Sequence, residues 1–179
     1  MSMTKTIEID GKQVEFKASA AIPRIYRVRY GRDIFKDLIK LDKELKENSE
    51  EDSGLTMCSL EAFENIAYLM AKHADPSIPD TAEDWLEGFS VFSIYQVLPE
   101  IISLWGVNLE TQSVAKKKRH ATERPLTTPL FLLRCVQLGI SIRDLDLLTV
   151  GLVNDMYIES DNDSENYAQV ATQRDMDLF

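Results

Sequence analysis

Two cysteines and two histidines are the only thiol and imidazole side chains in this chain of 179 residues. Cys58 and Cys135 stand too far apart to form a disulfide framework or a zinc knuckle, so they read as small apolar filler in a reducing compartment. His73 and His120 lie in different segments, neither with a carboxylate or thiol at ligand spacing, so no metal centre is expected and no histidine acid–base site. Glycine is also scarce. Its seven copies are scattered as turn residues and build no phosphate-binding loop, and no serine stands in a nucleophile-elbow context. No apolar run approaches the roughly 20 residues that cross a bilayer. Met1 to Lys5 opens no secretory signal, because no apolar stretch follows. Positive charge is outnumbered: 20 Lys and Arg face 30 Asp and Glu, a formal net charge of -10. An acidic whole argues against a dedicated nucleic-acid binder, which needs clustered cations for phosphate. These absences lead to the expectation of a protein without catalysis, cofactor or membrane span.

What is present is 44% hydrophobic residues, enough to fill a core. Thr6 to Asp10 and Val14 to Lys17 alternate apolar with polar around Asp10-Gly11, a hairpin signal. A lone hairpin is marginal, so it must pack on helices. From Ile22 the pattern turns helical, with Pro23 in a first turn and a stop at Tyr30-Gly31. Ile22, Ile25, Tyr26 and Val28 are its apolar residues. Asp33 to Lys46 carries the stripe Ile34, Phe35, Leu38, Ile39, Leu41 and Leu45. After an acidic loop at residues 48–54, Ser59 is placed to cap a helix from Leu60 to Ala74, which Asp75-Pro76 ends. Thr81 to Asp84 resembles a capping arrangement for a short helix through Trp85. Pro99 should kink or split the run between Ser90 and Gly106. Thr149 is placed to cap a last helix, Val150 to Ile158. The expected fold is mainly α with an N-terminal β-hairpin, an α+β arrangement. It divides into a helical domain over residues 1–107, a linker over 108–124, a small helical extension over 125–160 and a flexible tail over 161–179. The first domain is expected to fold without residues 120–179.

Three features could meet a partner. Between Thr128 and Gly139 only Arg134 and Gln137 are strongly polar, so this helix must be buried on more than one side or keep a face for another protein; Leu130, Phe131, Leu133 and Val136 are its candidate contacts. Trp85, Phe89, Phe92, Tyr95 and Trp105 form an aromatic cluster, to be read as core or as a self-assembly surface; Trp85, Phe89, Tyr95 and Trp105 are candidates. Arg24, Arg27, Arg29 and Arg32 fall in a stretch with no acid. They either pair with this protein's own carboxylates or offer a patch for an acidic partner, with Arg24 and Arg27 as candidates. Lys116 to Arg119 reads as solvated linker. Glu61, Glu64, Glu83, Asp84 and Glu87 read as solvated helix faces.

Phe16-Lys17-Ala18, then Pro23 to Arg27 and Tyr30 to Ile34, then Phe63 to Lys72, then Trp85 to Phe89 and Ile94 to Ile101 form an ordered series. In this order they resemble the tail assembly chaperones of long-tailed phages infecting low-GC Gram-positive bacteria, over about residues 1–106. Leu126-Thr127-Thr128, Asp144 to Gly151 and Ala171-Thr172-Gln173 resemble the downstream reading frame of the same gene pair. The whole chain is therefore similar to the frameshifted long form, of the lambda GT type. The resemblance implies a non-enzymatic protein of the host cell cytoplasm, absent from the mature virion. It would coat the tape measure protein, self-associate along it and recruit major tail tube subunits through the extension. The lysine run at Lys116 to Lys118 is where an A-rich slippery codon stretch would lie. Two other readings remain: a small DNA-binding regulator using the Arg24 to Arg32 stripe, and a structural virion component.

Overall fold

The computed structural model describes residues 3–47, 55–90, 93–115 and 125–162. The expected lysine run, acidic loop and terminal segment beyond residue 162 lie outside these. The fold is mainly helical and opens with an antiparallel hairpin. Strands β1 (Thr4–Ile9) and β2 (Lys12–Lys17) pair in regular register from Thr4↔Lys17 to Ile9↔Lys12. Asp10 and Gly11 both take positive φ, 54° and 74°, which matches the twist of a two-residue hairpin turn. Ile7, Ile9 and Phe16 point inward, while Thr6, Glu8 and Glu15 face solvent.

The hairpin lies across α3 (Met57–Ala74), which also carries α1 (Ile22–Tyr30) and α2 (Ile34–Glu47). Helix α3 buries Phe63, Ile66, Ala67, Tyr68 and Met70 and forms the middle of the core. It begins earlier than Ser59, the expected cap. Glu44 of α2 reaches across and accepts the Thr56 amide at 3.1 Å and the Thr56 hydroxyl at 3.0 Å. A carboxylate from another helix thus fixes the start, and Ser59 sits buried inside the first turn. Hydrogen bonding from Ser59 and Thr56 holds the Glu44 carboxyl below its ordinary range. Thr81 caps α4 (Ala82–Leu86) as expected, accepting the Asp84 amide at 3.1 Å. Pro99 splits rather than kinks. It falls in the first turn of α6 (Leu98–Leu109), after the short α5 (Ser93–Gln96).

Helix α7 (Thr128–Gln137), a 3-10 turn (Ile142–Leu147) and α8 (Val150–Asn162) complete the described chain. They share one core with the preceding elements. Phe131 and Cys135 of α7, Leu145, and Val150 and Val153 of α8 join the same buried cluster. Phe131 meets Phe35 with ring centres 6.0 Å apart. Buried polar groups lock the junction. Asp33 accepts the Phe35 amide at 3.2 Å and the Thr128 amide at 2.9 Å, so one carboxylate serves the starts of α2 and α7. Asn108 accepts the Val150 amide at 3.1 Å and donates to the Ser19 carbonyl at 3.5 Å.

The expected linker narrows accordingly. Asn108 and Leu109 end α6, and the Gln112 and Ser113 amides donate to Asp155 of α8, each at 2.9 Å. Residues 116–124 lie outside the described residues. The expected end of α8 at Ile158 is also too early. Asn162, assigned to a loose tail, is buried and donates to the Val114 carbonyl at 3.2 Å, so a backbone oxygen far back in sequence anchors the last turn.

Candidate functional site

Helices α2 and α6 are apolar over more of their girth than the core can cover. On α2, Ile34 and Leu41 are buried, while Leu38 is half-buried and Ile39 is 60% exposed. On α6, Ile101, Leu104 and Trp105 are buried, while Ile102, Gly106 and Leu109 fall on a second face at helical spacing. The uncovered faces meet along an open groove of about 370 Å³ that Leu126 closes on the α7 side. Its walls are apolar apart from Asp42. Trp105, which lines it, has its indole N–H buried with no acceptor. Such a donor costs free energy until something accepts from it.

The α7 candidates divide by face. Thr128, Phe131 and Cys135 point into the protein, so Phe131 is core and presents nothing to a partner. Burial pushes the Cys135 thiol up to about 11. Leu130 is half-buried. Leu133 and Val136, three apart on the outer face, are 50% and 60% exposed. Arg134 belongs to neither set: its guanidinium lies 4.6 Å from the Tyr157 ring centre and donates to Asn154 at 3.3 Å.

The aromatic candidates separate in the same way. Trp85 and Trp105 are buried. Trp85 packs between Phe16, Tyr68 and Phe89, with ring centres 6.4, 5.9 and 5.2 Å away. Phe89 and Tyr95 stay half-buried. The Tyr95 hydroxyl donates to Glu64, and burial together with that carboxylate pushes the phenol up to about 12. Phe92 lies outside the described residues.

The arginine stripe is partly spent internally. Arg29 stacks 4.9 Å from the Tyr68 ring centre and donates to the Asp80 carbonyl. Arg32 holds Asp37 with two bonds, at 2.8 and 3.0 Å, and that pairing raises its own pKa further. Tyr26 donates to the same carboxylate at 2.7 Å, and burial foremost pushes its phenol far up. Arg24 is half-buried, with its Nε unpartnered. Arg27 is exposed and in no ion pair among the described residues.

Of the sequence candidates only Trp105 lines the α2–α6 groove; its other walls are residues that sequence reasoning did not single out as contacts. Ile39 was visible as part of the α2 stripe, but its partners across the groove, Ile102, Leu109 and Leu126, stand more than 60 residues further on. Only packing could join them. Among the described residues no group of His, Cys, Asp and Glu could hold a metal ion, and no helix is long and apolar enough to cross a membrane. No known family, curated protein or solved structure matches this chain.

Proposed function

We propose that this chain is an assembly chaperone, a protein that shelters an apolar helical client and brings a second protein to it. The observation that carries the reading is the open apolar groove between α2 and α6. Exposed Ile39 with half-buried Ile102 and Leu109 makes an apolar surface that suits the apolar face of a helix, a recurrent mode of recognition. In the phage-tail setting suggested by the sequence, the client is the tape measure protein, with copies of the chain lined up along it. The outer face of α7, with Leu133 and Val136, is the place where a tail tube subunit docks. Holding both sites on one molecule raises the local concentration of tube protein at the client.

Co-expression with the tape measure and tube proteins, followed by light scattering of the complex, tests this. Ile39→Asp alters an exposed residue, so the variant should remain folded. We expect it to lose the tape measure protein while keeping the tube protein, and Leu133→Asp to do the reverse. Undiminished client capture by folded Ile39→Asp would remove the groove from the proposal. Mass spectrometry of mature particles separates a chaperone, which leaves, from a virion component, which stays. The nucleotide sequence around Lys116 to Lys118 tests the frame change.

A further inference from the structure

Among the described residues the sheet has two strands, so each strand has one edge without a neighbouring strand. The Ala18 amide donates to the Met3 carbonyl at 2.8 Å. With the regular register, this fixes which residues bond across the hairpin: Lys12, Val14 and Phe16 turn their amides and carbonyls toward β1. Gln13 and Glu15 turn theirs the other way. That outer edge of β2 runs beside a groove of about 500 Å³, whose other walls are the end of α3, the following loop and α4. Ala71, Ala74, Ile78, Trp85 and Phe89 make its apolar lining. Carboxylates rim it: Glu15, Asp75 and Asp84, none in an ion pair among the described residues. The one lysine there, Lys12, is already committed, donating to the Gly88 carbonyl at 2.5 Å and lying 5.4 Å from the Phe89 ring centre.

We infer that the free edge of β2 and its acidic, apolar-lined groove take an extended peptide of alternating apolar and basic residues as a third strand. Four main-chain bonds, from the amides and carbonyls of Gln13 and Glu15, would set its register. Side chains of an added strand alternate between the two faces of the sheet. Every second residue would therefore stand beside Gln13 and Glu15 on the open face, where a basic group meets the Glu15 carboxylate. The intervening residues would point toward Ile78, Trp85 and Phe89, where apolar groups fit. Beside Gln13 and Glu15 the edge is open: β2 has no proline and no bulge, Lys12 stands at one end with its ammonium tied to Gly88, and Lys17 lies beyond the groove. This site is separate from the α2–α6 groove and does not depend on the chaperone reading.

The test uses the full chain and a capped hexapeptide alternating valine and lysine. Binding is followed by fluorescence anisotropy and by amide hydrogen exchange of the protein. The expected result is binding that slows exchange at Gln13 and Glu15 by about tenfold or more. The exposed change Glu15→Lys should weaken it by about tenfold. A peptide N-methylated on the amides that face β2 should not bind. No binding at millimolar peptide overturns the inference, as does binding that leaves Gln13 and Glu15 unprotected or that the N-methylated peptide matches. Equal binding of a valine–glutamate peptide overturns the charge preference. Protection that rises with protein concentration and no peptide would give the edge to a second copy of this chain instead.

Discussion

Gly106 and Gly151 both sit in helices, and their surroundings give them opposite roles. A Cβ added at Gly106 meets nothing within 4 Å, because the residue borders the open groove. Gly106→Ala should therefore stabilise the protein by up to about 1 kcal/mol through helix propensity alone. A Cβ at Gly151 would stand 1.8 Å from the Glu110 carbonyl oxygen, where α8 begins against the end of α6. Gly151→Ala should cost about 3 kcal/mol or more, since backbone must move. Urea denaturation of the two variants checks the contrast, and equal effects would mean that α8 does not approach α6 this closely. His73 gives a second prediction at this scale. Burial first, then Lys17, holds its pKa below the ordinary 6.5, and its Nε2 lies 3.0 Å from the Ser19 hydroxyl. The unfolded chain then takes up a proton that the native state refuses, so stability falls as pH drops through 6.5 and levels off below the native pKa. Asp75 and Asp80, with pKa values also lowered, add their losses only below their ordinary 3.8. His73→Gln should flatten melting temperature between pH 7.5 and 5.5, and an unchanged slope would place the effect elsewhere. Val28 shows what composition misleads about. It lies among the apolar residues of α1 yet is 77% exposed, because the helices packed on α1 (α2, α3 and α7) leave it uncovered while Ile22 and Tyr26 are buried.

Among the elements, α7 is the informative one. Its sequence is apolar nearly all round, and two faces result: one docked through Phe131 and Cys135, one open through Leu133 and Val136. Phe131→Ala should cost about 3–5 kcal/mol by leaving a cavity against Phe35. Leu133→Ala, on the exposed face, should cost under about 1 kcal/mol. Denaturant titration measures both, and similar losses would show that α7 is turned differently on its axis. The start of α7 was not legible as an attachment point. Thr127 caps the helix locally, its hydroxyl accepting the Leu130 amide, but the buried acceptor for the Thr128 amide is Asp33, which stands at the beginning of α2. Asp33 itself reads as an ordinary helix-start residue. Its second bond spans most of the chain, and no local pattern announces it.

At the scale of the whole molecule, the core runs without a break from the hairpin through α3 and α6 to α7 and α8. Chain truncation is the direct probe. The charge run and low hydrophobicity after Asn108 suggested that the first domain would fold without residues 120–179. Removing residues 125–179 would strip cover from Phe35 and leave Asp33 without the Thr128 amide and Asn108 without the Val150 amide. Buried polar groups so orphaned cost about 1–3 kcal/mol each. The truncated chain should melt well below the full chain or lose its cooperative transition in calorimetry. An unchanged transition would show that the two parts fold separately. The amino-acid order alone determined the hairpin, the helices and most of their stops, because Asp10-Gly11, Pro99, Thr81 and the 3.6-residue stripes act within a few neighbours. It also determined that apolar surface would exceed what single helices can hide. Tertiary structure decided which of that surface stays open: Trp85, Trp105 and Phe131 went inside, and Ile39, Leu133 and Val136 stayed out. The physical reason is that burial depends on which faces meet across long stretches of chain. That choice rests on buried carboxylates and amides such as Asp33 and Asn108, whose partners are unreadable until the helices have packed.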